Sequence, residues 1–109
     1  MNRPARHRLA VLSITAASAL CAPAAMANEA LLGRNLAATC ANCHGTDGKA
    51  RGDMKTLAGT PADKLVAMMN DYRSGNLPAT IMHQIAKGYT DQQIRLIAAY
   101  FAAQKPAAK

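Results

Sequence analysis

Two thiols separated by two residues and followed at once by an imidazole form the run Cys40-Ala41-Asn42-Cys43-His44. That spacing suits covalent attachment of a c-type haem. Thiols so placed can add to the two vinyl groups on one edge of a porphyrin, and a single turn of backbone then carries both thioether bonds. The imidazole that follows is brought beneath the iron, where its Nε2 can serve as the proximal axial ligand. Gly45 comes next and lets the chain turn away. Two other chemistries use a C-x-x-C pair. A zinc site needs a second ligand pair, such as another C-x-x-C or an H-x-x-x-H, and the chain has neither. A thioredoxin-type dithiol expects the pair at the start of a helix in a βαβ pattern, and the strand signals for that pattern are missing. His44 would have no part in it.

The stretch ahead of this run has the build of an export signal. Arg3, Arg6 and Arg8 form a basic lead, Leu9 to Ala22 is an uncharged apolar run, and Ala25-Met26-Ala27 offers small residues for cleavage. The expected mature chain is residues 28–109, a periplasmic domain with no membrane span. Anchoring through an acylated Cys21 is disfavoured, because Leu20 stands where a small residue should precede that cysteine. Cleavage would remove Cys21, and haem would consume Cys40 and Cys43, so no free thiol would remain. A domain this small has a marginal apolar core of its own. Haem must supply the rest, and the chain without it should be largely unfolded.

Charge narrows the partners. The sequence carries 13 Lys and Arg against 6 Asp and Glu, and loss of the three leading arginines leaves ten against six. The basic residues are scattered singly, which argues against nucleic acid and leaves an acidic protein surface or no specific partner.

The remaining chain reads as helices and one long loop. Glu29 to Cys40 is expected as a helix with Asn28 as its N-cap, Leu32, Leu36 and Cys40 on one face, and Gly33 and Ala37 forming a smooth strip for close helix packing. Residues 45–60 show no period and carry Gly, Lys, Arg and Asp, a loop around the haem edge with Leu57 pointing inward. Thr60-Pro61-Ala62-Asp63 looks like an N-cap, and Leu65, Met68, Met69 and Tyr72 give the next helix an inward face that Gly75 ends. A short helix over Ile81 to Lys87 stops at Gly88. Thr90-Asp91-Gln92-Gln93 is a capping box for a last helix whose apolar stripe is Ile94, Ile97, Ala98 and Phe101. Tyr100 and Phe101 are expected to set an aromatic ring against the Gly33/Ala37 strip. No convincing strand and no internal repeat is visible, so the fold class is all-α, one domain with one haem.

With the haem motif early, a glycine in the first helix, a later methionine and an aromatic last helix, residues 29–104 resemble a class I c-type cytochrome of about four helices around one covalently bound haem. Leu57-Ala58-Gly59, the run Met82 to Asp91, and Ile97-Ala98-Ala99-Tyr100-Phe101 look most like the cytochrome subunit of flavocytochrome c sulfide dehydrogenase. The cytochrome c4 and c553 groups share much of this. The resemblance implies an electron-transfer subunit that does no bond chemistry itself. It would take single electrons from a flavoprotein that carries FAD and oxidises sulfide, and would pass them to a soluble cytochrome c acceptor. Dihaem forms of such a subunit exist, whereas this chain has one C-x-x-C-H. A freely diffusing cytochrome c serving an oxidase or reductase is the alternative, and an enzyme or gas sensor with an open iron position is a third class.

The resemblance also implies a methionine as distal iron ligand ahead of the last helix, which is Met82. Met68 and Met69 belong to a packing stripe, and Met54 sits in the loop soon after the haem motif. His83 is the rival, yet neighbours on a helix point about 100° apart, so only one of the two can face the iron. Met82 shares a face with Ile85 and Ala86, and His83, sharing one with Lys87, should look outward.

Overall fold

The computed structural model describes residues 22–106. Five helices follow one another: α1 (Ala22–Ala37), α2 (Ala41–His44), α3 (Ala62–Ser74), α4 (Met82–Lys87) and α5 (Asp91–Ala102), with 3-10 turns at Ala38–Cys40 and Thr46–Gly48. Among the described residues there is no strand, as the all-α reading requires. The single turn of α2 apart, four helices make the fold.

α5 is the element on which the others pack. Its N-terminus is fixed by the expected capping box: Gln93 N–H donates to Thr90 Oγ1 at 3.2 Å, and Thr90 N–H donates to Gln93 Oε1 at 2.9 Å. Two of the helix-end donors are thereby satisfied. Ile94, Ile97, Ala98 and Phe101 are all buried, which is the stripe that the 3.6-residue period marks out. Ala37 and Leu65 join three of these four in one cluster, with Leu36, Leu57 and Tyr89 packed against it.

α1 meets α5 through Gly33. A Cβ at Gly33 would lie 2.8 Å from the Leu96 carbonyl oxygen, so the two helix backbones approach as closely as the small-residue strip allows. The contact at Gly33 is therefore the backbone of Leu96 and not an aromatic ring. Ala37, one turn further on, is the strip residue that joins Phe101 in the core.

Three boundaries differ from the sequence reading. α1 begins at Ala22, and Asn28 lies inside it instead of capping it, because Ala22 to Ala30 is rich in a strong helix former and continues the same helix. Residues 24–32 are exposed, Met26 by 72% and Leu32 by 47%, so of the expected face Leu32 stands in water while Leu36 and Cys40 pack against the core beside buried Gly33 and Ala37. Most of the expected signal peptide, residues 1–21, lies outside the described residues. At α3 the cap is Pro61 at φ −52° and ψ 137°, without a side-chain hydrogen bond, so the Thr60 capping motif does not form. Thr60 N–H instead donates to Leu57 O at 3.1 Å and closes the preceding loop. α4 starts at Met82, one residue late, since Ile81 is held at φ −135° outside the helical region. Gly75, left-handed at φ 84°, ends α3 as expected.

Candidate functional site

The helical path of α1 does not stop at Ala37. Ala37, Cys40 and Ala41 all keep right-handed helical angles through the 3-10 turn into α2, so residues three and four apart fall on one side. Cys40, Cys43 and His44 have that spacing, and all three line one cavity of about 530 Å³. Gly45 then leaves the helix at φ 79°, where a Cβ would collide with the Lys49 carbonyl, so only glycine lets the chain reverse directly after the imidazole.

Opposite walls come from the other elements. Leu65, Met68, Met69 and Tyr72 of α3, Met82 and Ile85 of α4, and Ile94, Ile97, Ala98 and Phe101 of α5 all face the same space. Leu57 lines it from the loop, the inward position expected of it. The wall is thus largely apolar, suited to the flat hydrocarbon face of a porphyrin, and its thiols, imidazole and thioethers are the donors that haem attachment and ligation use. Haem fits this donor set. Among the described residues no cluster of three or more His, Cys, Asp and Glu side chains could hold a bare metal ion.

Local bonds orient the donors. His44 Nδ1 donates to the Lys55 carbonyl at 2.7 Å, which places the proton on Nδ1 and leaves Nε2 free as a ligand atom. Burial pushes the Cys40 thiol above its ordinary range. Cys40 is half-buried and Cys43 exposed. Across the cavity the Thr39 and Tyr89 hydroxyls are hydrogen-bonded at 2.9 Å, tying the residue before Cys40 to the α4–α5 junction. On that junction Arg73 donates to Asp91 at 2.6 Å and holds α3 against the start of α5.

A family model described as Cytochrome c matches residues 30–105. The chain belongs to the cytochrome c family. Covalently bound haem c is the cofactor of that family, and electron transfer is its work. The chain is 38% identical to the cytochrome subunit of sulfide dehydrogenase of Chlorobaculum tepidum over 69 residues, 63% of each protein. It is 35% identical to cytochrome c-554(548) of Halomonas halodenitrificans, with 72% of this chain aligned to the whole of that one. In structure it is similar to the cytochrome c4 of Acidithiobacillus ferrooxidans, with a TM-score of 0.60, 29% identity, and coverage of 72% of this chain and 49% of that one. The chain thus spans about half of that cytochrome c4 and somewhat under two thirds of the sulfide dehydrogenase subunit.

Within this cytochrome the residues singled out from sequence divide clearly. Cys40, Cys43, His44 and Met82 share the cavity, whereas His83 does not line it. His83 does not look fully outward either. It is half-buried and its Nδ1 is buried without a hydrogen-bond partner, because the short α4 is pressed against α3. Met54, set aside as a loop residue, also reaches the cavity wall. The Lys55 carbonyl, the Thr39–Tyr89 pair and the Asp47–Tyr100 pair were not foreseen. Their partners lie 11, 50 and 53 residues apart, and neither helical nor strand periodicity relates such positions.

Proposed function

We propose that this chain is the haem-bearing electron-transfer subunit of a sulfide-oxidising flavoprotein complex, exported to the periplasm and cleaved after Ala27. One haem c is held through Cys40 and Cys43, with His44 as proximal and Met82 as distal iron ligand. The observation that carries the site is the meeting of these four residues on one apolar cavity. Likeness to the sulfide dehydrogenase cytochrome subunit supports the complex. Among the described residues no helix is long and apolar enough to cross a membrane.

Bound haem supplies a one-electron ferric/ferrous couple. The chain's own residues do the rest. Cys40 and Cys43 would hold the ring, His44 would offer Nε2 because the Lys55 carbonyl accepts from its Nδ1–H, and Met82 would supply a thioether ligand. If His44 and Met82 both bound the iron of such a haem, no coordination position would be left there for a substrate. The apolar walls from α3 and α5 would keep water from a haem held here, and a dry, fixed surround would need little rearrangement on electron transfer.

Electrons must enter and leave near the cavity mouth, where Pro78, Ile81 and Met54 line the cavity while being exposed, Ile81 by 55% and Met54 by 46%. An apolar rim of this kind suits a lasting subunit interface better than a salt-steered encounter, and Leu77 is half-buried beside it. The flavoprotein, oxidising sulfide at its flavin, delivers electrons here, and a soluble cytochrome c accepts them. A freely diffusing carrier is the second reading, favoured by the full-length alignment with cytochrome c-554(548). Co-expression with the flavoprotein and size-exclusion chromatography in high salt decides between them. The complex reading expects co-elution and haem reduction that depends on both sulfide and flavoprotein. A cytochrome that elutes alone, reduced no faster with flavoprotein than by sulfide itself, leaves the free carrier.

A further inference from the structure

The carbonyl that orients His44 belongs to a segment with little to hold it. Among the described residues the loop between Ala50 and Thr56 finds no backbone hydrogen bond of ordinary geometry, and most of it is exposed. The place of Lys55 O is therefore set by the base of the loop, where Gly48 O accepts from Leu57 N–H at 2.9 Å and from Ala58 N–H at 3.1 Å. That base is fastened to the last turn of α5 on both sides. After the loop, Gly59 N–H donates to Phe101 O at 2.9 Å. Before it, the Tyr100 hydroxyl donates to Asp47 Oδ1 at 2.5 Å.

Asp47 has a second mark of being held. Its φ is 54°, the one left-handed conformation of a non-glycine residue among the described positions. Side chains make that conformation unfavourable, though aspartate tolerates it better than most. The Tyr100 bond secures it, and the strain sits three residues after His44.

We propose that the Tyr100–Asp47 hydrogen bond positions the proximal imidazole, acting from the end of α5 through the loop that carries Lys55 O. Tyr100 and Asp47 are positioning residues, and the proposal rests on His44 being an iron ligand. A firm Nδ1–H···O bond makes an imidazole more electron-donating and favours the oxidised iron. Loosening the loop should weaken that bond and raise the reduction potential. Family membership alone does not require this tie, since the backbone bond from Gly59 could hold the loop without it.

The test uses the haem-loaded protein. Tyr100→Phe keeps the ring and removes only the hydroxyl. NMR of the reduced form should show the His44 Nδ1 proton exchanging with solvent roughly tenfold faster, the scale of one lost charge-assisted hydrogen bond. The reduction potential should move to a more positive value. Asp47→Ala should reproduce both effects if Tyr100→Phe fails to fold. Asp47→Asn, which still accepts a hydrogen bond and tolerates a left-handed backbone, should restore them most of the way. Asp91→Asn, which breaks the Arg73 ion pair elsewhere, is the control for general loosening and should leave the His44 proton alone. Unchanged exchange in Tyr100→Phe, or equal acceleration in Asp91→Asn, overturns the proposal. Failure of the ligand reading is separately visible: in oxidised unsubstituted protein the His44 ring resonances would then lack large paramagnetic shifts.

Discussion

Replacing Gly33 by alanine sets two effects of opposite sign against each other. Alanine in a helix interior is favoured over glycine by about 1 kcal/mol, so an isolated α1 would gain. In the folded protein the new Cβ would stand 2.8 Å from Leu96 O and 3.3 Å from its carbonyl carbon, against ordinary contact from 3.4 Å. These are backbone atoms of α5 and cannot rotate aside. α5 cannot back away freely either, because Ile97, Ala98 and Phe101 are buried on it. Overpacking of this kind costs about 2–3 kcal/mol when the structure yields only partly. The net expectation is a loss of about 1–2 kcal/mol, which for a domain of this size lowers the melting temperature by roughly 5–15 °C. Thermal unfolding of the haem-loaded protein followed by far-ultraviolet circular dichroism measures it. Asn35→Ala, at an exposed position of the same helix, gives the propensity gain without the contact and should stabilise slightly. A Gly33→Ala protein that melts higher than the unsubstituted one would refute the close approach of α1 and α5.

Three further outcomes are expected. Thr90→Ala removes the cap of α5 and should cost about 1 kcal/mol, seen as a lower denaturant midpoint at unchanged slope, while Thr90→Ser should be close to neutral. The hydrogen bond and charge of Arg73 hold the Asp91 carboxyl below its ordinary value, so its stabilisation is present above the unfolded value near pH 4 and lost as pH falls through the lower folded value. Melting temperatures measured from pH 7 to pH 2 should therefore fall less steeply for Asp91→Asn over the acid range, and parallel curves would show that the pair contributes nothing. Met82→Ala should abolish the weak red-region sulfur-to-iron absorption band and lower the reduction potential; an unchanged spectrum, or loss of the band in His83→Ala alone, would transfer the distal role.

What could be read from the sequence was what local physics determines. The stripe Ile94, Ile97, Ala98, Phe101 is fixed by helical period, and the Thr90 box by groups three residues apart, and both stand in the structure as read. C-x-x-C-H is legible for the same reason, since one turn of helix relates its parts. The start of α1 was missed because Asn28 is a good cap only where the chain before it is not helical, and here alanines precede it. α3 takes its cap position at Pro61 and not at Thr60, whose N–H closes the preceding turn on Leu57. The site's polar ties were out of reach for a different reason. Lys55 contributes a backbone carbonyl, which no side chain announces, and Tyr89 and Tyr100 read only as aromatic bulk until the fold supplies Thr39 and Asp47 as partners.

The cavity wall draws on α2, α3, α4 and α5, while the buried apolar residues among those described are few and half of them are alanine. Such a protein would shed a diffusible cofactor each time α3 or α4 opened, and rebinding would depend on how much of it was free in solution. The two thioethers proposed at Cys40 and Cys43 would make rebinding intramolecular, with an effective concentration on the order of millimolar that dilution does not alter. Unfolding midpoints of the loaded protein should therefore be the same at nanomolar and at micromolar protein. A carrier of this kind can work at low abundance and open often without being emptied.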